Sequence, residues 1–329
     1  MVLQYAAFFN DLLRLTKRLN PPRLWNYLMI YIGFWLSRLS GRVVVLGRPF
    51  AVSAEVAAIC NLRCPECIVG LGKTIRESKK MDTALFEQIL KKHRRHSFYT
   101  NLYFQGEPFL NRDLHHLIGM ASRLGYYTSV STNGHFLDEM RCREIIDAGL
   151  DRLIVSMDGL DQETYAFYRR GGSWQKVADG LAAMARVKKE LGAPSPMLVV
   201  QFLVNRKNEA QIPALKYFAR QQGADVVELK SMQVYGEEGA SAFLPGDERF
   251  NRYAAKGKRK KKGPCFRLWS HAVYTSDGVL VPCCYDKVPQ HPLGKETGED
   301  LWFSPAMHAF RKKVMTRRED TGICSNCNE

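Results

Sequence analysis

The sequence predicts an α/β fold, in which a parallel β-sheet is covered by helices and a small cysteine-rich domain follows. From Phe50 onward, short β-rich runs alternate with helical stretches, a pattern typical of β/α units. The 329 residues, of which 46% are hydrophobic, are enough to fill one large core. After Ser231 the alternation stops, and a connection rich in glycine, proline and lysine leads to a group of cysteines. The chain therefore divides into a large α/β core and a C-terminal appendage.

The predicted strands are short runs, each followed by polar or glycine-containing residues. They cover residues 50–56, 101–105, 126–131, 152–157, 198–204 and 226–231. The predicted helices have apolar residues at roughly helical spacing and cover residues 83–93, 114–124, 137–148, 174–191 and 209–222. Asp82 and Asn208 precede two of these helices and are predicted N-caps, since a short polar side chain can accept hydrogen bonds from free backbone N–H groups.

Residues 1–49 form an apolar and basic segment that is predicted to be a helical extension. Its most apolar part, residues 24–36, is too short to span a bilayer and is followed by no signal-peptide cleavage pattern. Aromatic residues flanked by Arg23, Arg38 and Arg42 suit a helix that lies in a membrane interface. A helix packed against the protein itself has a similar pattern, so both interpretations stay open.

The charge and the cysteines limit the partners and the compartment. The formal charge of +15 is partly local, because residues 256–262 (KGKRKKK) contain six of the basic side chains. A solvated basic linker over residues 236–263 explains this run more simply than a nucleic-acid partner, which we do not expect. The nine cysteines are clustered, except for Cys142 in a predicted helix, and this predicts thiolate metal ligands in a reducing compartment. We therefore expect a cytoplasmic protein, in which any membrane contact through residues 1–49 would be peripheral.

Cys60, Cys64 and Cys67 have the spacing C-x3-C-x2-C and follow the first predicted strand. One loop can therefore wrap three thiolates around a single inorganic core. A 4Fe-4S cluster normally takes four cysteines, so three leave one iron open for an external ligand. Zinc held by three thiolates and water is the alternative, although zinc patterns favour paired C-x2-C units.

This motif in this position resembles the radical S-adenosylmethionine (SAM) superfamily, with similarity from residue 51 to residue 231. The resemblance implies a TIM-like partial (β/α)6 barrel over residues 50–235, with SAM as cofactor and a SAM-binding 4Fe-4S cluster. It also implies that an electron, donated by a flavodoxin or ferredoxin, cleaves SAM to methionine and a 5'-deoxyadenosyl radical, which abstracts a substrate hydrogen atom. Glu66 stands where the family usually has an aromatic residue, a departure that leaves the three thiol ligands in place.

Further stretches resemble the SAM-binding motifs of the superfamily at the ends of successive strands, where barrel active sites lie. Residues 105–108 (QGEP) resemble its GGE motif, which implies that Gly106 and Glu107 hold the SAM amino group. Residues 156–159 (SMDG) resemble its SxDG motif, which implies a ribose contact from Ser156. The other implied contacts are Thr132 and Asn133, in the similar stretch 131–134, and Arg169, with Arg170 as its alternative, for the SAM carboxylate.

A second group of cysteines lies in the C-terminal appendage, residues 264–329. Cys265 and Cys283 are followed by the C-x2-C pair Cys324 and Cys327, so four thiolates can close one site. A four-cysteine structural zinc site has similar spacing. The pattern resembles the shortened SPASM, or twitch, domain, which implies one auxiliary 4Fe-4S cluster on these four residues.

The segment between Cys265 and Cys283 is predicted to form a hairpin that turns near Asp277, and a helix is predicted near residues 304–315. Cys284 is adjacent to Cys283 and is expected to pack rather than to bind iron. The choice between these two neighbouring thiols nevertheless stays open.

Four cysteine ligands leave no open iron in the auxiliary cluster, so its expected task is to accept an electron from the substrate radical. The sequence therefore predicts a radical SAM oxidoreductase that oxidises a polyol, a sugar or a peptide side chain. Residues 1–49 are shorter and more apolar than the leader-binding domains of many SPASM peptide-modifying enzymes, which favours a small-molecule substrate over a peptide. Asp286 and His271 are candidates for an acid or base only by their proximity to the cysteines in sequence.

Two other functions are compatible with these patterns. A radical epimerase or a peptide-crosslinking maturase would use the same motifs, and the redox balance of the products would identify an epimerase. A non-catalytic zinc protein that binds nucleic acid through the lysine run would contain zinc, cleave no SAM and bind in a strongly salt-dependent manner.

Overall fold

One β-sheet organises the protein in this computed structural model, which describes residues 2–234, 237–253, 263–325 and 327. The lysine run at residues 256–262, in the predicted linker, lies outside the described residues. The sheet has eight strands. They are β1 (Ala51–Ala54), β2 (Tyr99–Asn101), β3 (Tyr127–Thr132), β4 (Arg152–Ser156), β5 (Met197–Val204), β6 (Val226–Ser231), β7 (His271–Tyr274) and β8 (Leu280–Val281).

The strand order is β6-β5-β4-β3-β2-β1-β7-β8, and all neighbours are parallel except β7 and β8. The strands β1 to β6 therefore lie side by side in chain order, as right-handed β/α crossovers produce. The two ends of the sheet, β6 and β8, are not paired with each other, so the barrel is partial. This confirms the predicted α/β fold with a parallel sheet.

The second predicted strand was wrong in its bounds. Residues 101–105 were expected to form it, whereas β2 is Tyr99–Asn101 and pairs with β1 through Ala51 and Tyr99. After Asn101 the chain leaves the sheet, and Tyr103 and Phe104 line a cavity instead of continuing the ladder. An aromatic run thus gave a strand-like signal for residues that pack in a loop.

Helices cover the outside of the sheet. They are α1 (Val2–Thr16), α2 (Pro21–Ser40), α3 (Thr83–His93), α4 (Leu114–Arg123), α5 (Glu139–Asp147), α6 (Gln162–Tyr168), α7 (Trp174–Glu190), α8 (Ile212–Gln221), α9 (Glu237–Phe243), α10 (Arg267–Ser270), α11 (Pro305–Thr316) and α12 (Gly322–Ser325). None of the helices in the described part of the chain combines the length and the apolar character needed to cross a membrane.

Helix α3 shows how the core forms between helices and sheet. Phe86, Ile89 and Leu90 recur at helical spacing and are buried in one hydrophobic cluster with the strands. Burying each such side chain contributes about 1.5–3 kcal/mol. The predicted cap is confirmed, because the Asp82 side chain accepts hydrogen bonds from the Ala84 and Leu85 backbone at 2.8 and 3.3 Å.

The predicted cap at Asn208 was wrong. Asn208 precedes a 3-10 turn, Glu209–Gln211, and makes no capping hydrogen bond there. Its side chain instead accepts from the Asn205 backbone at 2.7 Å and donates to the Asp158 carbonyl at 3.0 Å. The α-helix begins only at Ile212, so Asn208 fixes the loop after β5 rather than the start of α8.

The C-terminal appendage continues the barrel sheet. Strand β7 pairs in parallel with β1, with His271 opposite Ala51, and β8 returns antiparallel to β7. The predicted hairpin is confirmed, with Gly278 in the left-handed region at φ 82. The first residue of the appendage, placed at 264 from the sequence, stays a prediction, since β1 and β7 share one ladder.

Candidate active site and auxiliary cysteine cavity

Three thiols meet where the parallel strands of the sheet end. Cys60, Cys64 and Cys67 lie in the loop after β1 and line one cavity of about 320 Å³. Within the loop, the Cys67 backbone N–H donates to the Cys64 carbonyl at 3.2 Å. Gly70 packs so closely that a Cβ atom there would lie 2.5 Å from the Cys64 carbonyl oxygen. The predicted C-x3-C-x2-C motif therefore folds into a tight loop with its thiols on one wall.

Gly106 brings the loop after β2 against this cysteine loop. Its φ of 72 lies in the left-handed region, and a Cβ atom would be 2.3 Å from the Ala57 carbonyl oxygen. The next residue, Glu107, donates its backbone N–H to the Ile59 carbonyl at 2.8 Å. Only glycine allows this approach, because any side chain would collide with backbone.

Glu107 is a buried carboxylate on the wall of the same cavity. It accepts hydrogen bonds from the Thr132 hydroxyl and the Asn133 backbone, both at 2.7 Å, and from the Phe109 backbone at 3.1 Å. Burial raises the pKa of Glu107, and these donors oppose that effect. The end of β3 thus fixes the orientation of a carboxylate that the sequence placed at the SAM amino group.

The ends of β3 and β4 complete the polar wall. Thr132, Asn133 and Ser156 line the cavity, and the Asn133 amide donates to the Asn61 side chain at 2.8 Å beside Cys60. Arg169, just after α6, lines it too and pairs with Asp158 at 2.5 Å. The structure therefore brings together all six predicted SAM-contacting residues in one cavity.

Burial changes the chemistry of the first group of thiols. It raises the pKa of Cys64 to about 11 and also raises the pKa of Cys60. At neutral pH such thiols are protonated unless a positive charge stabilises the thiolate, as an iron core does when it binds and releases protons. The donor set fits a 4Fe-4S cluster with three cysteine ligands, and the adjoining carboxylate, hydroxyl and guanidinium groups fit a zwitterionic ligand such as SAM.

A second cavity gathers the cysteines of the C-terminal appendage. Cys265, Cys283, Cys324 and Cys327 line it together with apolar side chains and with Arg267, Tyr285 and Arg318, and its volume is only about 10 Å³. Cys284 does not line it and accepts a hydrogen bond from Arg267 at 3.7 Å. The geometry therefore favours Cys283 over Cys284 in the group of four.

Burial acts on these thiols in the same direction. It raises the pKa of Cys324 to about 11 and holds the pKa of Cys283 well above its usual value, with Cys284 adding to the shift. The four-thiol donor set fits a fully ligated 4Fe-4S cluster. Among the described residues, no group of three or more His, Cys, Asp or Glu side chains is placed to hold a single metal ion.

Asp286 and His271 do not lie in the first cavity. The buried Asp286 carboxylate accepts from the Gln290 and His291 backbone at 2.8 and 3.0 Å, which holds a turn. His271 begins β7 opposite Ala51, at the end of the strands away from the thiols. Proximity to cysteines in sequence was therefore a poor guide, and both residues have structural contacts instead.

Lys287 is a cavity residue that sequence reasoning missed. It belongs to the C-terminal appendage but lines the first cavity with Cys67 and Glu66. Its ammonium donates to the Gln233 side chain at 3.1 Å, and burial lowers the pKa of Lys287. No local pattern marks this residue, because its position depends on how the appendage packs on the barrel.

Comparison with known protein families identifies the class of protein to which these two cavities belong. A family model described as the radical SAM superfamily matches residues 55–200. A model described as an iron-sulfur cluster-binding domain, SPASM, matches residues 265–328. The chain contains a radical SAM domain and a SPASM domain. Its cofactors are therefore SAM and 4Fe-4S clusters.

Individual proteins similar to this radical SAM and SPASM chain match it over most of their length. The PqqA peptide cyclase of Gluconobacter oxydans (strain 621H) is 28% identical in an alignment of 290 positions that covers 80% of this chain and 79% of that protein. Streptococcus suis SuiB bound to S-adenosylmethionine has a TM-score of 0.66 at 14% identity, covering 86% of this chain and 72% of that chain. BtrN in complex with AdoMet and 2-DOIA has a TM-score of 0.52 at 19% identity, covering 86% and 94%. The two structures support the fold.

Proposed function

We propose that this radical SAM chain carries out a net two-electron oxidation of its substrate. The observation that carries the proposal is the contrast between the two cysteine cavities. One offers three thiols beside a polar cavity of about 320 Å³, and the other gathers four thiols around only about 10 Å³. Three ligands leave an iron for SAM, whereas four leave none, so the second cluster is suited to carry electrons.

The residues proposed to hold SAM follow from the polar wall. Cys60, Cys64 and Cys67 hold the cluster. Glu107, fixed by its three donors, accepts from the SAM ammonium group, because charge-assisted hydrogen bonds are the strongest available there. Ser156 contacts the ribose, and Arg169, oriented by the Asp158 carboxylate, faces the SAM carboxylate.

When bound, the first cluster and SAM supply a 5'-deoxyadenosyl radical that takes one hydrogen atom, and the auxiliary cluster supplies an acceptor for the remaining substrate electron. The chain's own residues position the substrate and exclude water. Lys287 lines the cavity beside Glu66 and provides a cation for an anionic group of the substrate. The substrate loses two hydrogens in total, one as an atom and one as a proton.

We place a peptide side chain first among the substrates, ahead of a polyol or sugar. The relative from Gluconobacter oxydans is named a peptide cyclase. Two further structures with this fold are described with peptides, SuiB with precursor peptide SuiA at a TM-score of 0.64 and anSMEcpe with Cp18Cys peptide at 0.59. A polyol or sugar is the alternative that BtrN with 2-DOIA represents.

The test uses the reconstituted holoenzyme with SAM and dithionite under anaerobic conditions in D2O. Peptide and small-molecule fractions from the producing cells are added separately, and 5'-deoxyadenosine and new products are measured by mass spectrometry. We expect the peptide fraction to stimulate 5'-deoxyadenosine formation and to yield a product lacking two hydrogens. A product in which one solvent deuterium replaces one hydrogen, with the total number of hydrogens unchanged, would identify an epimerase and contradict the oxidation. Stimulation by the small-molecule fraction alone would contradict the peptide assignment.

A further inference from the structure

Helix α2 packs on the barrel with its polar side inward. Its buried residues are Arg23, Asn26, Ile30, Gly33 and Ser37. Apart from Arg38 in the last turn, its exposed large side chains are apolar or aromatic and recur along one face, namely Leu24, Trp25, Leu28, Tyr31, Ile32, Trp35, Leu36 and Leu39. A helix on a water-soluble surface shows the opposite arrangement. The outward face of α2 therefore needs an apolar partner.

The buried polar residues fix this orientation at the start of α2. The Arg23 guanidinium, 5% exposed, donates to the carbonyls of Arg18, Arg94 and Gly125 at 2.7, 2.8 and 2.6 Å. Asn26 donates to the Arg48 carbonyl at 2.9 Å and accepts from the Arg48 N–H at 2.8 Å. Rotating the helix to bury its apolar face would break these bonds and leave buried carbonyls unpaired.

The end of α2 is fixed in the same way. The Ser37 hydroxyl donates to the Val44 carbonyl and accepts from the Val44 N–H, both at 2.9 Å. A Cβ atom on Gly33 would lie 3.1 Å from the Val44 carbonyl, so the helix and the following chain are in close contact. Both ends of the helix are thus tied to the protein through its polar side.

Helix α1 enlarges the apolar surface. It exposes Phe8, Phe9, Leu12 and Leu13. Of the nineteen exposed large hydrophobic side chains in the described residues, thirteen lie between Phe8 and Leu46. We call the exposed apolar side chains of α1 and α2 the apolar face. Such a concentration marks an interaction surface, since isolated exposed hydrophobic residues are scattered on ordinary surfaces.

The charges around the apolar face identify its partner. Residues 1–54 contain seven Lys and Arg residues and one acidic residue, Asp11. Of the seven, Arg14, Arg18 and Arg48 pair with Asp11, Asp151 and Asp300, and Arg23 is buried. Lys17 is exposed. Exposed Arg38 and Arg42 flank the C-terminal end of α2. Basic residues beside exposed tryptophan and tyrosine match an interface between anionic lipid headgroups and acyl chains.

We propose that the apolar face lies on the surface of an anionic lipid bilayer. With 20 residues, α2 is about 30 Å long and would lie in the plane of the membrane with its tryptophans at headgroup depth. A cavity of about 430 Å³ extends the face at Trp25 and Leu46, and Arg48 and Arg95 line it. Apolar walls next to the Arg95 guanidinium match the mixed chemistry of a phospholipid, whereas the Arg48 guanidinium pairs with Asp300 at 2.5 Å.

The membrane surface and the active site are at opposite ends of the strands. Arg23 contacts Arg94 and Gly125, which precede β2 and β3, whereas Cys60 and Glu107 follow β1 and β2. The first cavity therefore faces away from the bilayer. Lipid contact would hold the enzyme at a membrane while its substrate enters from the aqueous side. The membrane proposal does not depend on the proposed oxidation.

The test is flotation of the full chain with phosphatidylcholine vesicles, with or without phosphatidylglycerol. The variant Leu28→Gln/Ile32→Gln/Trp35→Gln changes three exposed positions of the apolar face. The matched control, Met140→Gln/Leu191→Gln/Tyr217→Gln, changes three exposed apolar residues elsewhere. A third variant, Arg38→Gln/Arg42→Gln, removes flanking charge. SAM cleavage is measured for each protein, because these positions lie outside the first cavity.

We expect the wild type and the control to bind phosphatidylglycerol vesicles. The apolar-face variant should lose at least about tenfold in vesicle partitioning, since three apolar side chains no longer leave water. The arginine variant should lose less and respond less to salt. All variants should cleave SAM normally. Vesicle binding that the apolar-face changes leave intact would overturn the proposal. The proposal would also be overturned if no form of the protein binds vesicles and the wild type is a dimer that dissociates in the apolar-face variant. A second copy would then cover this face.

Discussion

The two cysteine cavities use the same ligand atoms for different purposes. In the first, three thiols share a cavity of about 320 Å³ with a carboxylate, hydroxyls and a guanidinium. In the second, four thiols surround about 10 Å³, and Leu268, Phe310 and Ile323 are among their neighbours. The number of thiols decides whether an iron stays open, and the size of the cavity decides whether a molecule such as SAM can reach it. The first site is therefore suited to bind SAM, and the second is suited to transfer electrons.

The largest expected effect comes from removing the second cluster alone. The variant Cys324→Ala/Cys327→Ala should abolish formation of the oxidised product, because the substrate radical loses its electron acceptor. SAM cleavage in the absence of substrate should remain near the wild-type rate, since the first cavity is unchanged. Anaerobic assays of both 5'-deoxyadenosine and product check this difference. Full product formation by the variant would show that the second cluster is not the electron acceptor, and the two sites would then not differ in the way proposed.

The polar wall of the first cavity gives the next largest effect. Glu107→Gln should weaken SAM binding about tenfold to hundredfold, because a hydrogen bond to a charged group contributes about 1.5–3 kcal/mol. Glu66→Gln is the control, since Glu66 lines the same cavity but lies in none of the stretches that resemble the SAM-binding motifs. Calorimetry with the reconstituted enzyme measures both affinities. A larger loss for Glu66→Gln would mean that the ammonium acceptor has been misassigned.

A smaller effect is expected where the appendage reaches the first cavity. Lys287→Gln should raise the KM for the substrate about tenfold, while SAM affinity and uncoupled SAM cleavage stay within about twofold. Lys287→Arg should restore most of the substrate affinity, because it keeps the positive charge. An equal loss of SAM affinity in Lys287→Gln would place this lysine at the cofactor instead.

The last pair of variants compares the neighbouring thiols of the second site. Cys283→Ala should lower the iron content from about eight to about four atoms per chain, as one whole 4Fe-4S cluster is lost. Cys284→Ala should keep about eight, because Cys284 does not line the second cavity. Iron and sulfide analysis after reconstitution distinguishes the two variants. The reverse pattern would exchange the roles of the two residues.

The sequence predicted best those structural features that depend on residues close together in the chain. Five of the six barrel strands lie within a few residues of their predicted bounds, since alternation of β and α patterns reflects burial on a parallel sheet. The cysteine motif, Gly106 and Glu107 were found because tight backbone geometry demands particular residues at fixed spacing. Loops with aromatic residues, such as 101–105, gave the wrong signal, because burial in a cavity resembles burial in a strand.

Contacts between distant segments were not accessible from the sequence. Lys287 reaches the first cavity only because β7 joins the barrel sheet beside β1. The apolar and aromatic residues 24–36 predicted a helix but left its orientation open. Arg23 and Asn26 settled it, since their backbone partners come from four other segments of the chain.

The division between a catalytic and an auxiliary cluster is tested most directly by comparing the wild type with Cys60→Ala/Cys64→Ala/Cys67→Ala. Iron, sulfide and zinc content and SAM cleavage are measured under anaerobic dithionite reduction. The wild type should hold about eight irons and release 5'-deoxyadenosine, whereas the triple variant should hold about four and release none. SAM cleavage that persists in the triple variant, or zinc without cleavage in the wild type, would contradict the division between a catalytic and an auxiliary cluster.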